Sequence, residues 1–123
     1  MHDPTTIADA YLATWNETDP ERRAALLRAR WTEDARYADP LASSTGRAAI
    51  GDMIGAVQAR FQGFRFARLG NADGYGEHVR FSWALGPTGA EPPIKGSDVV
   101  LLTDGRIDRV IGFLDQLPAG AAG

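Results

Sequence analysis

The hydrophobic period of this chain changes once, and that change limits what it can fold into. Up to Phe61, apolar residues recur every three or four positions; from Phe64 onward they fall on every second position. The first spacing marks an amphipathic helix, the second a strand with one buried face. Helices first and strands afterwards, with one short strand candidate among the helices, predict an α+β fold with an antiparallel sheet. That order excludes the alternating βαβ units of a parallel sheet.

Asp3-Pro4 and Asp19-Pro20 each read as a helix start. The carboxylate can accept the free N–H groups of the first turn, and proline is tolerated where its missing N–H would be unpaired. In the first helix Ile7, Tyr11 and Trp15 share a face, with Ala8 and Leu12 beside them. In the second, Ala24, Leu27 and Trp31 form an apolar stripe against Arg22, Arg23, Arg28 and Arg30. A third helix follows Gly46, carrying Ile50, Met53, Ile54, Val57 and Phe61, with Gly51 and Gly55 weakening it. Ala35 to Asp39, stopped by Pro40, is the interposed strand.

In the second half Phe64 and Phe66 share a face, as do Val79, Phe81, Trp83 and Leu85 on the next strand. Ile94, Gly96, Asp98, Val100 and Leu102 then alternate with Lys95, Ser97, Val99, Leu101 and Thr103. Asp104-Gly105 is a tight hairpin turn. The runs Val99–Leu102 and Ile107–Leu114 are apolar on both faces. Helices can cover one face, and a second copy of the chain is the expected cover for the other, a homodimer through the sheet.

At 123 residues the chain suits one domain, here 1–117, with a flexible tail over 118–123. The absence of cysteine excludes a disulfide framework, a thiolate metal site and a cysteine nucleophile. Thirteen basic against 16 acidic residues gives no surplus for nucleic acid and no polybasic run for a membrane surface. With no secretory signal pattern at the start, a cytoplasmic location is expected. Two distant histidines have no metal-ligand spacing, and no phosphate-binding or dinucleotide motif is present, so neither a metal nor another cofactor is expected.

Three polar residues break the pattern. Asp98 alternates onto the face of Ile94, Val100 and Leu102, where an ionised carboxylate is costly unless it finds donors or keeps its proton. Asp39 shares a strand face with Tyr37, and Tyr11 lies on the apolar face of the first helix. Each has a plainer reading: Asp39-Pro40 as the start of a turn, Asp98 on a wetter face, Tyr11 as a core residue with a solvated hydroxyl. Taken together, two inward carboxyls and a phenol are the parts of an acid–base site.

Several segments carry a family resemblance: Tyr11-Leu-Ala, Ala35-Arg-Tyr-Ala-Asp39-Pro40-Leu, Gly46-Arg-Ala-Ala-Ile50, Ser97-Asp98-Val-Val and Gly105-Arg-Ile. In their order and spacing the chain resembles the NTF2-like superfamily, and within it the SnoaL-like and ketosteroid-isomerase-like branch. The resemblance implies a cone-shaped fold: a curved antiparallel sheet packed against three N-terminal helices around a pocket. It also implies roles. Asp39 matches the base that shuttles a proton, Tyr11 the phenol that donates to the developing oxyanion, and Asp98 the protonated carboxyl that supplies the second donor. The two further tyrosines of some relatives are matched by Trp31 and Ile54, so that extended network is expected to be missing. The implied function is an acid–base enzyme of isomerase, cyclase or dehydratase type, taking a proton alpha to a carbonyl. The alternative is a ligand-binding or dimerisation domain without turnover. Trp15, Met53, Val57, Val79, Phe81, Trp83, Val100, Val110 and Leu114 are the expected pocket lining, which suits a small apolar molecule.

Overall fold

A computed structural model describes residues 3–118, so the expected tail lies outside the described residues except for Pro118. Two helices open the chain, α1 over Pro4–Asn16 and α2 over Pro20–Arg30. Both start as the Asp-Pro pairs require. The Asp3 carboxylate accepts from the Thr6 N–H and the Asp19 carboxylate from the Arg22 N–H. Then come β1 (Trp31–Ala38), the short β2 (Ser43–Thr45), α3 (Arg47–Arg60), β3 (Phe64–Tyr75), β4 (His78–Pro87), β5 (Ile94–Thr103) and β6 (Arg106–Gln116).

The six strands form one curved, unclosed sheet in the order β2-β1-β6-β5-β4-β3. β1 runs parallel to β6, and every other neighbouring pair is antiparallel. The β5–β6 hairpin turns at Asp104 and Gly105, both at positive φ, which suits a two-residue turn of primed type. One sheet face carries Val79, Phe81, Trp83 and Leu85 of β4 with Ile94, Val100 and Leu102 of β5. These pack with Tyr11 and Trp15 of α1 and Ile50 and Ile54 of α3 into one buried core.

Trp31 is not the last turn of α2. It caps that helix and opens β1, and it is fully buried, so its spacing of four from Leu27 joins two elements. Arg23 is not on a solvated face either. Its guanidinium is buried and donates to the Glu17 carbonyl, the Gly51 carbonyl and Gln58 Oε1, riveting α2 to α3. Gly51 and Gly55, which weaken α3 as a helix, make this close approach possible: a Cβ on Gly55 would lie 3.1 Å from the guanidinium. Asn16 ties the end of α1 to β3 through both amide atoms, donating to the Phe66 carbonyl at 2.9 Å and accepting from the Phe66 N–H at 2.8 Å.

Candidate active site

Sheet register places the two aspartates. Asp98 sits at mid-β5, opposite Phe81 of β4 and Gly112 of β6. Across β6, Ala38 of β1 pairs with Ile111, which brings Asp39, just past the end of β1, up to the far side of Gly112. Gly112 leaves room for both. A Cβ there would lie 2.9 Å from Asp98 Oδ1 and 3.1 Å from the Asp39 Cβ. Residues from the penultimate strand and the first strand therefore close over a single glycine.

Tyr11 comes down on this row from α1. Its hydroxyl donates to Asp98 Oδ2 at 2.6 Å, and both partners are almost fully buried. The phenol ring is held by Trp31, stacked at 5.6 Å, and by Phe81, edge-on at 5.3 Å. Burial pushes the Asp98 pKa up to about 6. The Tyr11 hydroxyl and the nearby Trp83 N–H oppose that rise, the latter without a hydrogen bond of normal geometry, and the charges of Asp39 and Asp115 add to it. Burial, with the Asp98 charge next, holds the Tyr11 hydroxyl protonated well above its usual range.

Asp39 is both a turn residue and a member of the cluster. Its Oδ1 accepts from the Leu41 and Ala42 N–H groups at 2.7 and 2.8 Å, the side-chain turn that Asp-Pro forecasts. Its Oδ2 accepts from the Tyr37 hydroxyl at 2.5 Å. Tyr37, which alternation puts on the Asp39 face, is a further member of the cluster that the sequence expectation did not count among the site residues. It is buried, and its hydroxyl is raised in pKa first by burial, then by the bond to Asp39 and the Asp98 charge. Tyr37 supplies a second phenol to the cluster, from β1. The signal was available: residues two apart on a strand share a face.

The remaining predicted residues divide into two groups. Trp15 and Val57 line a cleft of about 190 Å³, together with Gln58, Phe61, Phe64 and Phe66, where the ends of α1 and α3 meet the start of β3. Val79, Phe81, Trp83, Val100 and Val110 are buried in the core, and Met53 and Leu114 pack at its edge. Trp15 joins the two regions. It walls the cleft and its ring lies 6.4 Å from Tyr11 and 5.6 Å from Tyr37. Among the described residues, no group of three or more His, Cys, Asp or Glu is placed to hold a metal ion. No helix among them is long and apolar enough to cross a membrane.

The model of the SnoaL-like domain family matches residues 8–110. The chain belongs to the SnoaL-like family. A protein from Agrobacterium tumefaciens str. C58, named a candidate isomerase of this family, is 47% identical over 91% of this chain and 97% of its own, with a TM-score of 0.88. A candidate ketosteroid isomerase from Kribbella flavida is 21% identical over 98% of this chain and 83% of its own, with a TM-score of 0.69. A candidate polyketide cyclase from Sinorhizobium meliloti is 18% identical over 87% and 93%, also at 0.69. The last two establish the fold alone, the α+β architecture of NTF2-like and ketosteroid-isomerase-like proteins. No curated protein matches.

Proposed function

We propose that this SnoaL-like protein is an acid–base enzyme that removes a proton alpha to the carbonyl of a small, largely apolar substrate. One observation carries the reading: a buried phenol–carboxyl pair, Tyr11 and Asp98 at 2.6 Å, stands across Gly112 from a second acid, Asp39. Asp39, held by three donors, is the group that takes the proton. Tyr11 and the protonated form of Asp98 donate to the oxygen on which negative charge develops. A buried carboxyl with a pKa near 6 carries its proton in part of the population close to neutral pH, as a donor there requires. The names of the Agrobacterium and Sinorhizobium relatives, isomerase and cyclase, fit chemistry that begins with this proton transfer.

The test is deuterium exchange alpha to the carbonyl of a cyclic enone in D2O, followed by NMR. The wild type accelerates exchange, and Asp39→Asn lowers the rate by about 10²-fold or more. Full activity in that variant excludes Asp39 as the base. Loss in Asp98→Asn with retention in Asp39→Asn exchanges their roles.

A second reading has its own support. The two phenols already satisfy the two carboxylates, and the cleft of about 190 Å³ is smaller than the roughly 300 Å³ at which drug-sized ligand pockets begin. A binding domain without turnover, paired with a second copy through Val99, Leu101, Ile111 and the exposed Phe113 on the outer sheet face, fits those facts. Absence of exchange with every enone tried, together with tight binding, favours it.

A further inference from the structure

Two indole N–H groups near the site have no hydrogen-bond partner among the described residues: those of Trp15 and Trp83. Both side chains are more than nine-tenths buried. An unpaired buried donor is costly, and native structures seldom keep one without a use. Here two occur within one aromatic unit, since Phe66 packs at 5.2 Å against each indole and also lines the cleft.

Their placement is specific. Trp83 pairs in register with Gly96 of β5, and its indole occupies the space that a side chain at Gly96 would need. That glycine brings the indole over β5 two residues from Asp98, and the N–H faces the Asp98 carboxyl without a bond of normal geometry. The Trp15 N–H stands in the same relation to the Tyr11 hydroxyl. The third tryptophan differs: Trp31 Nε1 donates to Thr14 Oγ1 at 3.3 Å and is satisfied within the fold.

We infer that Trp15 and Trp83 are ligand-binding donors, flanking the Tyr11–Asp98 pair and delivering their indole N–H groups to oxygen on the bound molecule. The inference rests on the oxyanion site proposed above and names what that site selects. Tyr11 and protonated Asp98 already match the two lone pairs of one carbonyl oxygen. Two further donors favour a ligand oxygen that carries charge, an enolate or phenolate, or a second oxygen close to the first. An apolar ligand of the same shape leaves all of these donors unpaired. The two tryptophans are thus specificity-determining residues.

The experiment uses 2-naphthol and 2-methylnaphthalene, which share a shape and differ by hydroxyl against methyl. Indole N–H resonances of the three tryptophans are assigned in 15N-labelled wild-type protein, with Trp→Phe variants as the assignment aid, and followed during titration with each compound. Expected is a downfield shift of the Trp15 and Trp83 protons with naphthol only, while the Trp31 proton stays near its place. Trp83→Phe then weakens naphthol about ten-fold or more and leaves methylnaphthalene within about two-fold. If naphthol binding responds to Tyr11→Phe but the indole protons do not move and Trp83→Phe binds normally, the inference fails and the oxyanion site stands. If naphthol does not bind, or binds with no response to Tyr11, Asp98 or either tryptophan, both fail. The wild-type titration decides the matter even if a tryptophan variant does not fold.

Discussion

Replacing Asp98 with asparagine should remove the dependence of stability on pH that this site imposes. The pKa of Asp98 rises from 3.8 to about 6 on folding, chiefly through burial. At 1.36 kcal/mol for each tenfold change in proton affinity, that is about 3 kcal/mol of differential stability. The sign follows from proton binding. Between about pH 4 and 6 the folded chain holds a proton that the unfolded chain has released, so wild-type stability from this group is complete below pH 3.8 and is lost as pH rises through 6. Asparagine mimics the protonated acid: it keeps an acceptor for Tyr11 and has no proton to lose. The difference in unfolding free energy, variant minus wild type, should therefore climb by about 3 kcal/mol from pH 3.5 to pH 7.5. Near pH 7.5 this corresponds to roughly 10 °C in midpoint temperature relative to the low-pH comparison. Urea unfolding of both proteins at half-unit pH steps measures it, with Asp115→Asn as a control, because Asp115 and Asp39 also raise the Asp98 value. The competing effect is the Tyr11 hydrogen bond, about 1.5–3 kcal/mol to a charged acceptor, against an ionised-group burial cost of several kcal/mol. A flat difference profile means water reaches the carboxyl. A profile sloping the other way means the phenol outweighs burial. Either result refutes the reasoning.

Removing the phenol should act on stability and chemistry together. Tyr11→Phe takes away the donor that opposes the rise in the Asp98 pKa, so that value moves up further, and unfolding at pH 8 becomes easier by about 1–3 kcal/mol. Enone exchange in the same variant should slow by about 10²–10³-fold, and an unchanged rate would remove Tyr11 from the oxyanion role. Gly112→Ala puts a methyl 2.9 Å from Asp98 Oδ1 and 3.1 Å from the Asp39 Cβ, which should cost about 1–3 kcal/mol and depress activity. A stable, fully active variant contradicts the close approach. Arg23→Met keeps the apolar stem but strips hydrogen bonds from Glu17, Gly51 and Gln58, for an expected loss of about 2–4 kcal/mol in urea unfolding; a loss under about 0.5 would make that rivet incidental.

What the residues disclosed in advance follows the range of the forces involved. Helix starts at Asp3 and Asp19 were legible because a cap is a bond across three residues. The interior faces of β4 and β5 were legible because alternation is local, and the same rule marked Asp98 as a buried acid. Trp31 misled because α2 and β1 abut without a breaker, so a strand residue continues a helical spacing. Arg23 misled because its acceptors lie on the α1–α2 link and on α3, up to 35 positions away, and no pattern along α2 records them. β2 is three polar residues with no period to read. The site divides along the same line. Alternation tells that an acid at position 98 is inside, but not what stands beside it. The neighbour across Gly112 is set by the register of β6, fixed by the Asp104-Gly105 turn on one side and by parallel pairing with β1 on the other. A slip of one residue in β6 would move a side chain into the gap between Asp98 and Asp39 and turn Gly112 away. The juxtaposition of the two acids is therefore a property of strand register, and the glycine that permits it is as much a part of the candidate site as the two carboxyls.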